Sequence, residues 1–294
     1  MFMGIGARGS LSVALTKVGR PRLLRIHLYA LCWNDADMLP FFFRHYDRFI
    51  TRYFIFDEGS TDTSISILRN RANVVLRRFV RRDPASFVNS EQALSNECWK
   101  ASRGVADWVI VTDIDEHLYH YDLATLLIRY KADGTTFVPA LGYQIISEDF
   151  PDPTEMLCES RTQGVPFQAM CKANLFDPTA IEEINYGPGR HAATPIGDVR
   201  LPSQAELLLL HYKYLGFERT LARHRQLRTG LGPKDIENGW GQQYSWSETQ
   251  LRDSWNAVAE KAVDVHKHAC SPDLDYSLPP WWDRVRSRTQ LTPL

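Results

Sequence analysis

Residues 107–116 read DWVIVTDIDE, an apolar run from Trp108 to Val111 with Asp113 and Asp115 just beyond it. A short apolar run of this kind, bounded by polar residues, marks a buried strand. Alternate residues of an extended chain face the same way. Asp113 and Asp115 therefore leave the strand able to address one ligand together, as a hard cation with oxygen ligands requires. Upstream, residues 23–33 (LLRIHLYALCW) form an apolar run ending at Asn34-Asp35. Residues 37–53 then place Met38, Phe41, Phe42 and Tyr46 on one side of a helix. Residues 53–56 (YFIF) give a second strand closed by Asp57-Glu58-Gly59-Ser60, after which Thr61 or Asp62 caps a helix through Leu68. Residues 73–80 read as a third strand, 90–102 as a third helix and 107–112 as a fourth strand. Strands separated by helices predict parallel pairing with right-handed crossovers, and so an open α/β sheet.

Ligands of such sheets collect beyond the carboxyl ends of the strands, where Asn34-Asp35, Asp57-Glu58 and Asp113 to Glu116 all stand. Carboxylates brought together repel unless a cation or a set of donors lies between them, so a bound metal is expected. After Tyr121 the pattern loosens. Residues 123–131 read as a helix, 136–146 and 168–176 as extended, and 151–202 as rich in Pro and Gly. Leu207 to Leu210 form a last apolar strand leading into His211-Tyr212-Lys213, and residues 247–266 read as a helix. The expected organisation is a lead-in over 1–22, a ligand-binding α/β half over 23–121, a loop-rich half of the same domain over 122–216, and a helical extension over 217–294.

The chain has 294 residues, 44% hydrophobic and 23% charged, close to the globular averages of about 45–50% and about 25%. With 34 Lys+Arg against 35 Asp+Glu the formal net charge is −1, which argues against nucleic acid polymer as a partner. The five cysteines, Cys32, Cys98, Cys158, Cys171 and Cys270, are odd in number and lack C-x-x-C spacing, which suits a reducing compartment. No run approaches the ~18 apolar residues of a membrane span, and the first 20 residues lack the apolar core of a signal peptide. A cytoplasmic location is expected.

Three motifs in their order carry a resemblance: Asn34-Asp35 after the first strand, FIFDEGSTD (54–62) after the second, and residues 107–116 with the D-x-D. Together they resemble a bacterial family 2-like glycosyltransferase of the GT-A fold. The resemblance covers residues 24 to 215 and is closest to the subgroup, akin also to family 92 enzymes, whose D-x-D is followed by Glu. That subgroup also carries a G-x-x-H and an H-Y-K, matched here by Gly187 to His191 and by His211-Tyr212-Lys213.

The resemblance implies an open mixed sheet with helices on both faces and a loop-rich acceptor half. It also implies transfer of a sugar from a nucleoside-diphosphate donor, a uridine diphosphate sugar above others, to a hydroxyl of a glycan or lipid-linked acceptor. Mn²⁺ or Mg²⁺ would assist, as Lewis acid and template for the departing diphosphate. Asp115 would be the direct metal ligand, and Asp113 would touch the metal shell or the ribose. Asp57 would bind base or ribose, and Asn34 and Asp35 would shape the uridine wall. Glu116 follows the D-x-D as a further substrate contact. His211, delivered by the end of the four-leucine strand, would be the third metal ligand, with Lys213 neutralising phosphate. His191 competes for the phosphates through its glycine-rich turn.

An inverting transfer also needs a carboxylate to deprotonate the acceptor hydroxyl, and Glu148-Asp149 after a strand suggests Asp149. Arg77, Arg78, Arg81 and Arg82 read as a solvated edge. Trp281-Trp282 before Arg284, Arg286 and Arg288 either docks the tail on the core or forms a peripheral contact with an anionic membrane face. Two rivals stand beside the transferase. A haloacid dehalogenase-like phosphatase would carry its D-x-D on the first strand. A non-catalytic nucleotide-sugar-binding protein would share the fold.

Overall fold

The computed structural model of the chain describes residues 24–289; the expected lead-in over 1–22 lies outside them. Its strands are β1 (Ile26–Cys32), β2 (Arg52–Asp57), β3 (Val74–Arg78), β4 (Trp108–Asp113), β5 (Glu116–Tyr119), β6 (Phe137–Val138), β7 (Leu141–Ser147), β8 (Gln163–Pro166), β9 (Leu175–Phe176), β10 (Ile181–Glu183), β11 (Ile196–Gly197), β12 (Leu208–Leu215) and β13 (Val263–Asp264). The helices are α1 (Leu39–Tyr46), α2 (Ser64–Arg69), α3 (Phe87–Glu97), α4 (Leu123–Ala132), α5 (Leu157–Ser160), α6 (Phe217–Gly230), α7 (Pro233–Glu237), α8 (Glu248–Lys261), α9 (Pro272–Asp275) and α10 (Asp283–Thr289).

The first sheet has the order β3-β2-β1-β4-β9-β6. β1 to β4 pair in parallel, and β9 and β6 join antiparallel, so the fold is an open mixed α/β sheet. Its two faces follow from the period of two along a strand. Leu28, Ala30, Ile55 and Ile110 pack under Phe41, Phe42 and Tyr46 of α1, while Tyr29, Val109 and Val111 pack with Trp99 and Phe176 on the other side. Burying each such side chain stabilises by about 1.5–3 kcal/mol.

A second sheet, β13-β8-β7-β12-β5, stands beside the first. The run over 136–146 does not remain one strand. Pro139 offers no N–H to a ladder, and the break there lets β6 stay in the first sheet while β7 enters the second. Of residues 168–176 only Leu175–Phe176 is strand, after a single 3₁₀ turn at Gln168–Met170. β12 continues through His211, Tyr212 and Lys213 instead of ending before them. It pairs parallel to β7 and antiparallel to β5, with His211 opposite both Gln144 and Glu116. The Asp113-Ile-Asp115 turn therefore hinges the two sheets.

Helix bounds shift for local reasons. α1 stops at Tyr46, well short of residue 53, because Thr51 bonds Ile26 O through both its N–H and its hydroxyl and so draws the chain toward pairing. α3 starts before residue 90 because the Ser86 hydroxyl accepts from Asn89 N. α8 begins in a capping box of Ser247 and Gln250 and ends at Lys261, ahead of 263–264, which pair with β8. Among the described residues no helix is long and apolar enough to cross a membrane.

Candidate active site at the junction of the sheets

Strand order reverses between β1 and β4, and at such a switch point the loops beyond the strand ends part to leave a crevice. A cavity of about 680 Å³ opens there, lined by Asp35, Glu58, Asp113, Asp115 and Glu116 from the turns after β1, β2 and β4. From the second sheet come Gln144, His211 and Lys213, and from α6 Arg223 and His224. Trp240, Tyr244 and Trp246, between α7 and α8, complete an aromatic wall.

Asp115 and His211 meet. His211 Nε2 lies 3.6 Å from Asp115 Oδ2, and the His211 ring is buried. Gln144 Nε2 donates to the carbonyls of Ile145 and His211, so its Oε1 faces His211 Nδ1 at 2.7 Å as an acceptor. In the neutral ring Nδ1 then carries the proton, and the Nε2 lone pair points at the Asp115 carboxylate. Two acceptors opposed in this way fit a cation between them. Burial pushes the Asp115 carboxyl up, but the positive charges of His211 in its protonated form, Lys213 and Arg223 together outweigh it and hold the group well below the usual carboxylate range.

Asp113 is placed differently. Its half-exposed carboxylate bonds Arg190 at 2.9 Å, so it borders the Asp115–His211 pair without joining it in one close ligand group. Burial and the negative charge of Glu116 push its pKa up, and Arg190 opposes the shift. Glu116 is buried in the cavity wall, held by Lys172 Nζ at 2.5 Å and Arg190 at 3.1 Å. Burial alone would raise its pKa, yet Lys172 and Arg190 hold it well below the carboxylate range. The Arg190 guanidinium also bonds Glu91 at 2.9 Å. Gly189 at φ 61° and Arg190 at φ 57° form a left-handed pair that turns the arginine inward. The adjacent His191 is exposed at the cavity rim, its Nδ1 donating to Ala169 O.

The first two turns are tied to each other and to α6. Asn34, at φ 52°, donates from its N–H to Ser60 Oγ and accepts at Oδ1 from the N–H groups of Thr61 and Asp62. Asp57 accepts from the N–H groups of Gly59 and Ser60, closing its own turn, and neither Asp57 nor Asn34 lines the cavity. The turn reading accounts for the bonds both residues make. Asp35 does reach the cavity, paired to Arg223 at 2.5 Å, and burial outweighs that arginine to push its pKa up to about 6. Arg81 is no solvated edge residue, since it bonds Glu58 and Gly230 O.

Lys213 lines the cavity and donates to Tyr244 Oη at 2.7 Å. Burial would lower its pKa, but Tyr244 and Asp115 raise it, so it stays a cation. The chain is similar to TarS. Crystal structures of S. aureus TarS match over 69% of this chain at 9–10% identity. The TM-score is 0.36 for TarS, covering 39% of that chain; 0.39 for TarS 1-349 in complex with UDP, covering 64%; and 0.37 for TarS 1-349 in complex with UDP-GlcNAc, covering 65%. The chain thus spans less than two thirds of each of these TarS structures. No protein-family profile and no curated protein sequence matches it.

One further expected feature falls away from the cavity. Asp149 is not among its lining residues. Its side chain is 76% exposed and pairs with Arg161 at 3.1 Å, because Ser147 Oγ bonds back to Asp149 and turns the end of β7 to solvent. Trp282 is buried and Trp281 donates to Cys171 O, so the tryptophan pair docks the tail on the core. The residues that sequence reading missed are Arg190, Lys172, Gln144 and Arg223. Gln144 had a signal, a lone polar residue inside the apolar run 141–146.

Proposed function

We propose that this chain is a glycosyltransferase, moving a sugar from a nucleoside-diphosphate donor, a uridine diphosphate sugar first among them, to a hydroxyl of a glycan or lipid-linked acceptor. One observation carries the reading. At the switch point between the parallel strands β1 and β4, Asp115 faces the free nitrogen of His211 beside two fixed cations, Lys213 and Arg223, in a cavity of about 680 Å³. Asp115 and His211, with Asp113 at their side, would hold Mn²⁺ or Mg²⁺. When bound, that ion supplies Lewis acidity to the departing diphosphate. Lys213 and Arg223 add positive charge where the anomeric C–O bond breaks and its electron pair passes to phosphate. The aromatic wall offers flat apolar faces against which sugar rings pack.

The test is donor binding by thermal shift and calorimetry, using UDP-, GDP- and dTDP-sugars with and without Mn²⁺. A donor at 100 times its dissociation constant stabilises the fold by about 2.7 kcal/mol. Asp115→Asn should lose Mn²⁺-dependent donor affinity by more than about 100-fold while remaining folded. Equal affinity in Asp115→Asn would overturn the reading. Tight donor binding with neither transfer nor slow release of free sugar would instead mark a binding protein.

A further inference from the structure

Outside the cavity lining, the segment after α8 gathers a different set of side chains. β13 pairs with β8 at the edge of the second sheet, and the chain then runs past His268 and Cys270 into α9, which carries Asp275. One ligand-type atom from each of His268, Cys270 and Asp275 lies within 4.8 Å of the other two. None of the three lines the large cavity. We propose that His268, Cys270 and Asp275 form a second metal site, one that binds Zn²⁺ and fastens residues 263–276 to the second sheet.

Three observations support the site. The first is spacing. His268 Nε2 stands 3.3 Å from Asp275 Oδ1, longer than the ~2.7–3.2 Å of an N–H···O bond. Two ligands on a tetrahedral ion with bonds of about 2.0–2.1 Å stand about 3.3 Å apart. The second is support from neighbours. Tyr143 Oη on β7 lies 2.6 Å from His268 Nδ1, the partner that a metal-bound imidazole needs on its other nitrogen. Asp275 Oδ2 is held by Ser271 N at 2.5 Å, and the Cys270 thiol donates to Tyr276 Oη at 3.4 Å, a proton that metal binding would displace. The third is donor chemistry. A thiolate, an imidazole and a carboxylate together carry two negative charges, and sulfur with nitrogen selects Zn²⁺ over Mg²⁺ or Mn²⁺. The site is only partly buried, leaving room for water as the fourth ligand.

The experiment uses the full chain, stripped with a chelator and titrated with Co²⁺ as a spectroscopic stand-in for Zn²⁺. We expect one equivalent to give a thiolate-to-cobalt charge-transfer band that Zn²⁺ abolishes, and Zn²⁺ to raise the unfolding midpoint. Cys270→Ser should lose the band. Asp275→Asn should keep it with at least tenfold weaker affinity, which preserves a readout if Cys270→Ser fails to fold. Asp115→Asn should leave the band and its affinity unchanged, separating this site from the one in the cavity. Cobalt binding without a thiolate band, a band that survives in Cys270→Ser, or an unfolding midpoint indifferent to Zn²⁺ would overturn the proposal.

Discussion

His211 Nε2 and Asp115 Oδ2 face each other at 3.6 Å, and Gln144 Oε1 fixes the geometry by holding His211 Nδ1 from behind at 2.7 Å. Gln144 touches neither the carboxylate nor the cavity's cations, yet it decides which imidazole nitrogen carries the proton. Replacing Gln144 by Leu frees the ring to rotate and to exchange tautomers. Partners of this kind typically account for 10–100-fold in metal affinity. The expected outcome for Gln144→Leu is therefore a Mn²⁺ dissociation constant raised roughly 10–100-fold with donor affinity unchanged at saturating Mn²⁺. Calorimetric titration of Mn²⁺ checks it.

Arg190 is the second relationship to test. It is buried and bonds Glu91, Asp113 and Glu116 at once. Arg190→Met would leave Glu116 with Lys172 as its one bonded cation and Glu91 without its cation. Breaking a buried pair by removing one partner costs about 3–5 kcal/mol, and urea unfolding should show a loss of that size. The double variant Arg190→Met/Glu91→Gln should recover part of it, because one stranded charge has gone. No recovery would mean that packing, not charge, is what Arg190 supplies.

Asp149 separates the sequence expectation from the structure. Its exposed carboxylate pairs only with surface groups, and exposed pairs contribute about 0–1 kcal/mol. Asp149→Asn is expected to keep transfer activity within about twofold and stability within that same range. A loss of activity by orders of magnitude, read in the donor-turnover assay, would restore it as the base.

What the sequence made legible was local. The β-αβ alternation, the D-x-D and the late leucine strand each announce themselves through a period of two or through adjacent acids, and the structure has strands at all of them. The unread part is long-range. Arg223 reaches Asp35 across 188 positions and Lys172 reaches Glu116 across 56. Within the expected helical extension over 217–294, the buried face of α6 mixes Thr220 and His224 with Phe217 and Leu221, so no period singled out Arg223 beside them. Likewise Asp57 and Asn34 looked like ligands because Asn and Asp suit both sites and turns. Only the bonds they make distinguish the two.

The last prediction concerns acid. His45 and His117 stack in the core at 4.6 Å between ring centres. His45 Nε2 donates to Leu118 O, whereas neither His117 nitrogen has a hydrogen-bond partner among the described residues. Burial pushes His45 down to about 4, only partly offset by the bond to Leu118, and burial with the neighbouring His45 pushes His117 well below its ordinary range. Both are neutral when folded and take up a proton near pH 6.5 when unfolded. Between those values the unfolded chain binds more protons, so stability is full above pH 6.5 and falls as pH drops toward 4. For His45 that amounts to roughly 3 kcal/mol across the window. Asp35, raised to about 6, works the opposite way over part of the same range, so the informative quantity is the difference between variants. His117→Phe keeps an aromatic ring against Phe42, Tyr46 and Tyr212 and removes one of the groups that resist protonation. Urea midpoints measured from pH 7.5 to 4.5 should fall less steeply in His117→Phe than in the unaltered chain. Parallel curves would show that His117 is not a source of the acid lability.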